Sequence, residues 1–235
     1  MSRDFQQKIF FIWYSTLILM VFGIVLFGGY TRLSGAGLSI TEWKPISGIL
    51  PPLTEGQWSN VFYQYQETPE YKNVNATLSL NSFKTIYWIE FIHRLLARLI
   101  ALVLVIPGIL FLAKGYFTLR QKKHFFVLCA FLGLQGTVGW YMVASGLRDN
   151  PYVSPYMLVC HLLMALSFIS LLLWNNVQFG FFSLPIYINR HLQKYGLLVL
   201  FFLLLTITYG GLVAGMKAGL IYNTFPLMGE EILPS

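Results

Sequence analysis

Five apolar stretches dominate the chain, and each is about as long as a helix that crosses a bilayer. They lie near residues 10–30, 85–113, 124–144, 153–174 and 195–216. A hydrocarbon core about 30 Å thick takes about 20 helical residues, and a backbone in lipid must satisfy its own hydrogen bonds. With 56% hydrophobic and 11% charged residues, the sequence predicts an all-α polytopic membrane protein with five spans.

Lysine and arginine in the short connections predict the orientation of these spans. By helix parity one side carries Arg3, Lys8, Lys114, Arg120, Lys122, Lys123, Arg190 and Lys194. That side should be cytoplasmic, and the loop 31–84 should face outward. The short N-terminal segment is unlike a transit peptide, so we expect a multi-pass protein of a bacterial inner membrane. The net charge of +7 then reflects topology and lipid contact, and no nucleic-acid partner is expected.

The chain also contains an internal repetition. Residues 28–38 read GGYTRLSGAGL and residues 210–220 read GGLVAGMKAGL, an ungapped match at an offset of 182. The match favours duplication. It predicts an N-terminal four-helix half at 1–194 and the first helix of a second, repeated half at 195–235, which is incomplete where the sequence stops.

Two histidines lie inside the predicted spans, where an ionisable side chain is costly and needs a partner. His93 falls about 13 Å down the second span and His161 about 12 Å down the fourth, at a rise of about 1.5 Å per residue. Both spans run inward, so two imidazoles could bind one haem iron from opposite faces. The alternative is two separately hydrogen-bonded core histidines. His124 and His191, in basic cytoplasmic segments, are not expected to bind iron.

Glu90 is the only acidic residue within a predicted span. Helical geometry places it one turn outward of His93 and on the same face as His93 and Arg94. The carboxylate could act as acid, base or nucleophile beside a bound macrocycle. Its alternative role is an ion pair with Arg94 at the i, i+4 spacing. Arg94 and Arg98 are candidate partners for haem propionates, although orientation by Glu90 or snorkelling remains open.

Several segments of the chain resemble the heme A synthase family, in the branch shared by alphaproteobacteria and mitochondria. The similar segments are 28–34 (GGYTRLS), 37–45 (GLSITEWKP), 51–53 (PPL), 65–66 (YQ), 69–71 (PEY), 90–94 (EFIHR), 135–147 (QGTVGWYMVASGL) and 222–228 (YNTFPLM). The resemblance covers essentially the whole chain. The first-loop cysteine pair of another branch of the family is absent from this sequence.

The resemblance implies an eight-span fold in two halves, each with one haem site. It implies oxidation of the C8 methyl group of heme O to the formyl group of heme A, for terminal oxidases. His93 and His161 match the axial histidines of the first half, and Glu90 matches a carboxylate regarded as catalytic. The family cofactor heme b belongs to a second half, so we expect residues 1–235 alone to make no heme A.

Two other classes of protein remain open from the sequence. One is a bis-histidine haem electron-transfer membrane subunit, in which Glu90 merely pairs with Arg94. The other is a transporter or assembly partner without a redox centre. For the synthase we expect heme O as substrate and membrane lipid as surroundings. The heme O synthase, an electron donor and a second copy of the chain are candidate partners.

Overall fold

A computed structural model describes residues 3–148, 150–180, 189–221, 224 and 226–232. Its α-helices are α1 (Arg3–Leu33), α2 (Glu55–Gln66), α3 (Pro69–Asn73), α4 (Leu80–Ala113), α5 (Leu119–Gly146), α6 (Pro155–Phe179) and α7 (Arg190–Gly215). Short 3-10 turns lie at Ser47–Ile49 and Ala218–Leu220. Over these ranges the β-structure amounts to one isolated bridge. Helices α1, α4, α5, α6 and α7 are long and apolar enough to cross a membrane, which confirms the all-α polytopic prediction.

The spanning helices extend beyond the apolar stretches because their ends are capped by polar residues. Helix α4 begins at Leu80 rather than near 85, since the Ser79 side chain accepts a hydrogen bond from a first-turn amide. Helix α5 begins at Leu119 rather than near 124, since Thr118 and Gln121 form a capping box. Hydropathy alone does not register these extensions.

Four spanning helices form a ring, with α1 packed on α4 and α6, and α5 packed on the same two helices. Helices α4 and α6 therefore face each other across the ring, as the parity of the spans predicts. Of the four interfaces between neighbouring helices in the ring, the one between α4 and α5 is the least extensive. Helix α7 lies outside and packs on α6, where a Cβ on Gly211 would lie 2.7 Å from the Val159 side chain.

The interior of the ring is most tightly packed in the half where α1 and α5 begin and where α4 and α6 end. The buried side chains there are Phe10, Trp13, Tyr14, Leu17, Val21, Ile100, Leu104, Phe117, Phe125, Leu128, Phe168 and Leu172. The Trp13 indole donates a hydrogen bond of 2.7 Å to the Val103 carbonyl. That carbonyl lies four residues before Pro107, which has no N–H to offer it. Trp13 thus satisfies the backbone acceptor that the proline leaves free.

In the other half, next to the loop that joins α1 to α4, the packing changes. No residue is buried in 22–30 of α1, 92–99 of α4, 129–145 of α5 or 160–164 of α6. Side chains that face a tightly filled interior would be buried, so this layer of the ring is packed less tightly than the other half. We call it the outer layer of the bundle.

The outer loop folds into a small structure of its own above the bundle. Helices α2 and α3 lie within it, and their side chains pack against the first turns of α4. The buried residues of this loop core are Trp58, Tyr65, Phe83, Tyr87 and Phe91. The region predicted only as a loop at 31–84 therefore carries two helices and an aromatic core.

Helices α1 and α7 end in the same way. Each is followed by a residue in the left-handed conformation, with φ of 63° at Gly35 and 55° at Lys217. The Arg32 guanidinium donates to the carbonyl of Ala214, 182 residues further along. The same offset separates Gly35 from Lys217, so the repetition extends from residue identities to backbone geometry. The division into two halves stays a prediction.

Candidate functional site

His93 lies in the outer layer, where its ring packs against α1. A Cβ added to Gly28 would lie 3.2 Å from the Nε2 atom of His93, so a larger residue at this position would crowd the imidazole. Glycine inside a helix costs about 1 kcal/mol relative to alanine. Gly28 is therefore the residue that makes room for the His93 ring.

His161 is seated in a similar way on the opposite side of the ring. A Cβ on Gly139 of α5 would lie 2.9 Å from the Cε1 atom of His161. The Gln135 amide nitrogen donates to the His161 backbone carbonyl at 3.0 Å and lies 3.2 Å from Nδ1. The Gln135 side chain thus fixes the approach of α5 to this histidine.

The two histidines lie at similar heights in the bundle. Gly28 lies five residues before the end of α1, about 8 Å, and Gly139 lies seven residues before the end of α5, about 10 Å. The structure therefore brings both rings into the outer layer from facing helices, as the sequence predicted. Whether they are axial ligands stays a prediction.

Glu90 is buried one turn outward of His93, where it binds the outer loop. Its Oε2 accepts hydrogen bonds from the Ser39 hydroxyl at 2.7 Å and the Ile40 amide at 2.9 Å. Its Oε1 accepts two from Arg94, at 3.0 and 2.6 Å. The ion pair that the sequence left as an alternative is thus present, and all four contacts are donated to the carboxylate.

The two arginines predicted for propionate binding hold loop carbonyls, and their role toward propionates stays a prediction. Arg94 donates to Ile40 at 2.9 Å and to Glu42 at 3.2 Å. Arg98 donates to Lys44 at 2.9 Å and Pro45 at 3.0 Å. The remaining Arg98 nitrogen, Nη1, is buried and has no hydrogen-bond partner among the described residues. It is the one guanidinium nitrogen of this pair that suits a further anionic oxygen.

The aromatic residues near the histidines divide between two environments. Tyr87 and Phe91 belong to the loop core, whereas Trp88, Trp140 and Tyr141 are exposed on the helix surfaces. These three exposed residues have the position that is typical of an interfacial aromatic belt.

Some residues of the site carried no functional prediction. In the sequence, Gly28 and Gly139 appear only as members of the segments that resemble the family. Gln135 and Ser39 appear there as polar residues whose partners the sequence does not indicate. A glycine or glutamine inside a span is the available signal, because both are unfavourable there without a local reason. Sequence alone does not reveal which side chain they contact.

A second buried carboxylate lies in the outer loop, outside the spans. Glu70 of α3 accepts a hydrogen bond of 3.1 Å from the Tyr65 hydroxyl, which in turn accepts one of 2.8 Å from Asn75. Burial raises the pKa of Glu70 to about 7, although the Tyr65 hydrogen bond opposes the change. Burial also raises the pKa of Tyr65 above its usual range.

The donor set fits a haem better than a bare metal ion. Within the described ranges no three His, Cys, Asp or Glu side chains come together. A haem iron takes four nitrogen ligands from its porphyrin and needs only two from the protein. Two histidines, a less tightly packed layer between apolar helices and an Arg98 nitrogen without a partner match these needs. The fold defines a multi-pass helical membrane protein, with two histidines at similar heights on facing helices.

Comparison with known proteins agrees with this class. The model of the cytochrome oxidase assembly protein family COX15-CtaA matches residues 11–235, and the chain belongs to that family. No solved structure matches the chain.

Curated relatives in this family carry the name heme A synthase. The protein from Wolbachia pipientis of Culex pipiens is 46% identical over 227 residues, covering 95% of this chain and 68% of the relative. That from Rickettsia canadensis is 42% identical, covering 98% and 69%. That from Brucella anthropi is 38% identical, covering 100% and 65%. The chain thus spans about two thirds of the length of these relatives.

Proposed function

We propose that this chain serves heme A synthesis, in which the C8 methyl group of heme O is oxidised to a formyl group. Support comes from the family, from the name that the relatives carry and from the site. The observation that carries the proposal is the histidine pair, because each ring sits against a helix glycine in the less tightly packed layer of the described bundle.

In this proposal His93 and His161 hold the haem iron as neutral imidazoles from α4 and α6. The bound haem supplies the redox chemistry. The apolar helices around the outer layer would bury the porphyrin plane, a favourable term proportional to the area removed from water. The Nη1 atom of Arg98 is the group best placed to pair with a propionate, since it is buried without a partner.

Glu90 is proposed as the catalytic carboxylate, and the contacts define which role suits it. Arg94 and the Ile40 amide can only donate, so in this arrangement Glu90 is purely an acceptor. That favours action as a proton acceptor rather than as an acid. The Ser39 hydroxyl also donates to it, with a hydrogen bond of 2.7 Å to Oε2.

The haem assignment is tested spectroscopically on the purified protein. We expect the optical and EPR spectra of low-spin iron with two imidazole ligands. His93→Ala and His161→Ala should each abolish that spectrum. His191→Ala is the matched control, since this histidine is exposed at the start of α7. An unchanged spectrum in either of the first two variants would refute the assignment.

The activity is tested in a strain that makes heme O but lacks its own heme A synthase. Expression of the complete reading frame should yield heme A by mass spectrometry, and Glu90→Gln should retain bound haem while losing this product. Wild-type heme A from Glu90→Gln would favour the ion-pair role. Residues 1–235 expressed alone are expected to yield none, so heme A from that chain would contradict the two-half proposal.

The second candidate function is a bis-histidine haem electron-transfer subunit. One observation favours it: the Glu90 carboxylate is fully engaged by Arg94 and the outer loop. The two functions predict different products in the strain that makes heme O but lacks its own heme A synthase. An electron-transfer subunit would show the bis-imidazole spectrum and reversible reduction but would never convert heme O.

The finer assignments belong to the same proposal. We place the protein in the bacterial inner membrane with its N-terminus in the cytoplasm, on the strength of the basic connections. Residues 1–194 would form the first half and 195–235 the start of the second, to which the cofactor heme b would belong. Heme O is the proposed substrate, and the heme O synthase, an electron donor and a second copy of the chain are proposed partners.

A further inference from the structure

The segment 43–53 of the outer loop exposes an unusual number of apolar side chains. They are Ile46 (84% exposed), Ile49 (52%), Leu50 (69%) and Leu53 (73%). A loop in water seldom presents four large aliphatic residues so close together, and a contiguous apolar patch marks an interaction surface. We call residues 43–53 the interfacial segment.

Arg98 of α4 fixes the height of this segment. Its guanidinium donates to the backbone carbonyls of Lys44 and Pro45, at 2.9 and 3.0 Å. The chain then passes so close that a Cβ on Gly48 would lie 3.0 Å from the Arg98 Nη2 atom. Residues 44–48 therefore wrap around a side chain that belongs to a membrane span.

The position of Arg98 along α4 gives the depth. It lies 15 residues before Ala113, the cytoplasmic end of the helix, which is about 22 Å. The loop core packs on Phe83, Tyr87 and Phe91, so the first turns of α4 project beyond the hydrocarbon. A core about 30 Å thick, measured from Ala113, then places the Arg98 Cα about 8 Å below the outer edge. Helical side chains tilt towards the N-terminus, here the outer side, so the guanidinium lies close to that edge. The interfacial segment is held at the same level.

Trp43, at the start of the segment, has the surroundings of an interfacial residue. Its ring lies 6.4 Å from the exposed ring of Trp140 on α5. On its other side the guanidinium of Arg94 lies 5.9 Å from the ring centroid. Tryptophan with an apolar body and a polar neighbour is enriched where hydrocarbon meets headgroups. The segment is thus anchored at both its beginning and its middle.

We propose that the interfacial segment inserts Ile46, Ile49, Leu50 and Leu53 among the lipid acyl chains of the outer leaflet. At this level the exposed surface of α4 already faces lipid through Leu102, which is 52% exposed. The apolar patch continues that surface outward. This lipid contact is separate from haem binding and does not rest on the proposed function.

Spin-label accessibility in liposomes tests the proposal. Single cysteines at Ile46, Ile49 and Leu50 are labelled in a background with Cys129→Ala and Cys160→Ala. We expect these labels to collide readily with dissolved oxygen and poorly with a water-soluble nickel chelate. Leu102→Cys is the lipid reference. Tyr63→Cys, on the exposed face of α2, is the water reference and should show the opposite preference.

The outcomes are distinct. Labels at the segment that resemble Tyr63→Cys would overturn the proposal in favour of water. Labels shielded from both reagents would overturn it in favour of a protein partner or a second copy of the chain. A second measurement needs no cysteine: Ile46→Asp should lower the unfolding midpoint in liposomes, whereas Tyr63→Asp should not. Equal midpoints for these two variants would also overturn it.

Discussion

Glu70 offers the sharpest test of the folded outer loop, because it is a buried carboxyl outside the membrane. It is 8% exposed and has the Tyr65 hydroxyl at 3.1 Å as its side-chain donor. We expect Glu70→Gln to remove a pH dependence of stability, since glutamine keeps the shape and an acceptor but carries no titratable proton.

The size and sign follow from the pKa of this carboxyl. Burial raises it from 4.5 to about 7, so the unfolded chain loses the proton first as the pH rises. Stability should therefore be highest below about pH 4.5, fall up to about pH 7 and then level off. At 1.36 kcal/mol per pKa unit, the difference between the pKa of Glu70 in the unfolded and the folded chain corresponds to about 3 kcal/mol of unfolding free energy. Glu70→Gln should abolish this decline.

Denaturant unfolding followed by tryptophan fluorescence measures the effect, because Trp58 lies in the loop core. Wild type and Glu70→Gln are compared at a series of pH values between 4.5 and about 7. Glu67→Gln is the matched control, since this exposed carboxylate pairs with Lys72 at the surface. If wild type and Glu70→Gln decline equally over the window, burial does not perturb Glu70 and the loop core is wrongly described.

Three further substitutions test the fold. Trp13→Phe should cost about 1–3 kcal/mol of unfolding free energy, because the Val103 carbonyl beside the proline kink loses its donor. Gly35→Ala should cost about 1 kcal/mol because of its positive φ, whereas Gly37→Ala should be nearly neutral, and comparing their denaturation midpoints checks this. Gly108→Leu should cost about 1–3 kcal/mol or more, since an aromatic ring of α5 lies where its Cβ would be, and a melting curve without a shift would contradict that close packing.

The spans and the heights of the histidines were predictable because a membrane imposes a fixed length. Hydrocarbon thickness sets the minimum length of a spanning helix, so a long run of apolar residues predicts where such a helix lies. His93 and His161 therefore reached the same layer in the structure as in the prediction. The helix ends were predicted less well, since Ser79 and Thr118 act through hydrogen bonds that hydropathy does not measure.

The contacts between the outer loop and α4 were not predictable in the same way. The pairing of Glu90 with Arg94 follows from helix spacing, but its bonds to Ser39 and Ile40 depend on how the loop returns across the bundle. The loop carbonyls held by Arg98 likewise involve backbone atoms, which every residue possesses. No residue type at 40–45 indicates such a contact, so the sequence left the arginines as candidates for propionate binding, for orientation by Glu90 or for snorkelling.

The uneven filling of the bundle has a consequence for how the protein is made. The half in which α1 and α5 begin is closed by the chain's own side chains, among them Trp13, Leu104 and Phe168. We therefore expect the four helices to associate in the membrane before any ligand arrives. When a ligand then enters the outer layer, no packed helices have to separate. We therefore expect ligand loading to be the last step of maturation and to leave the earlier contacts intact.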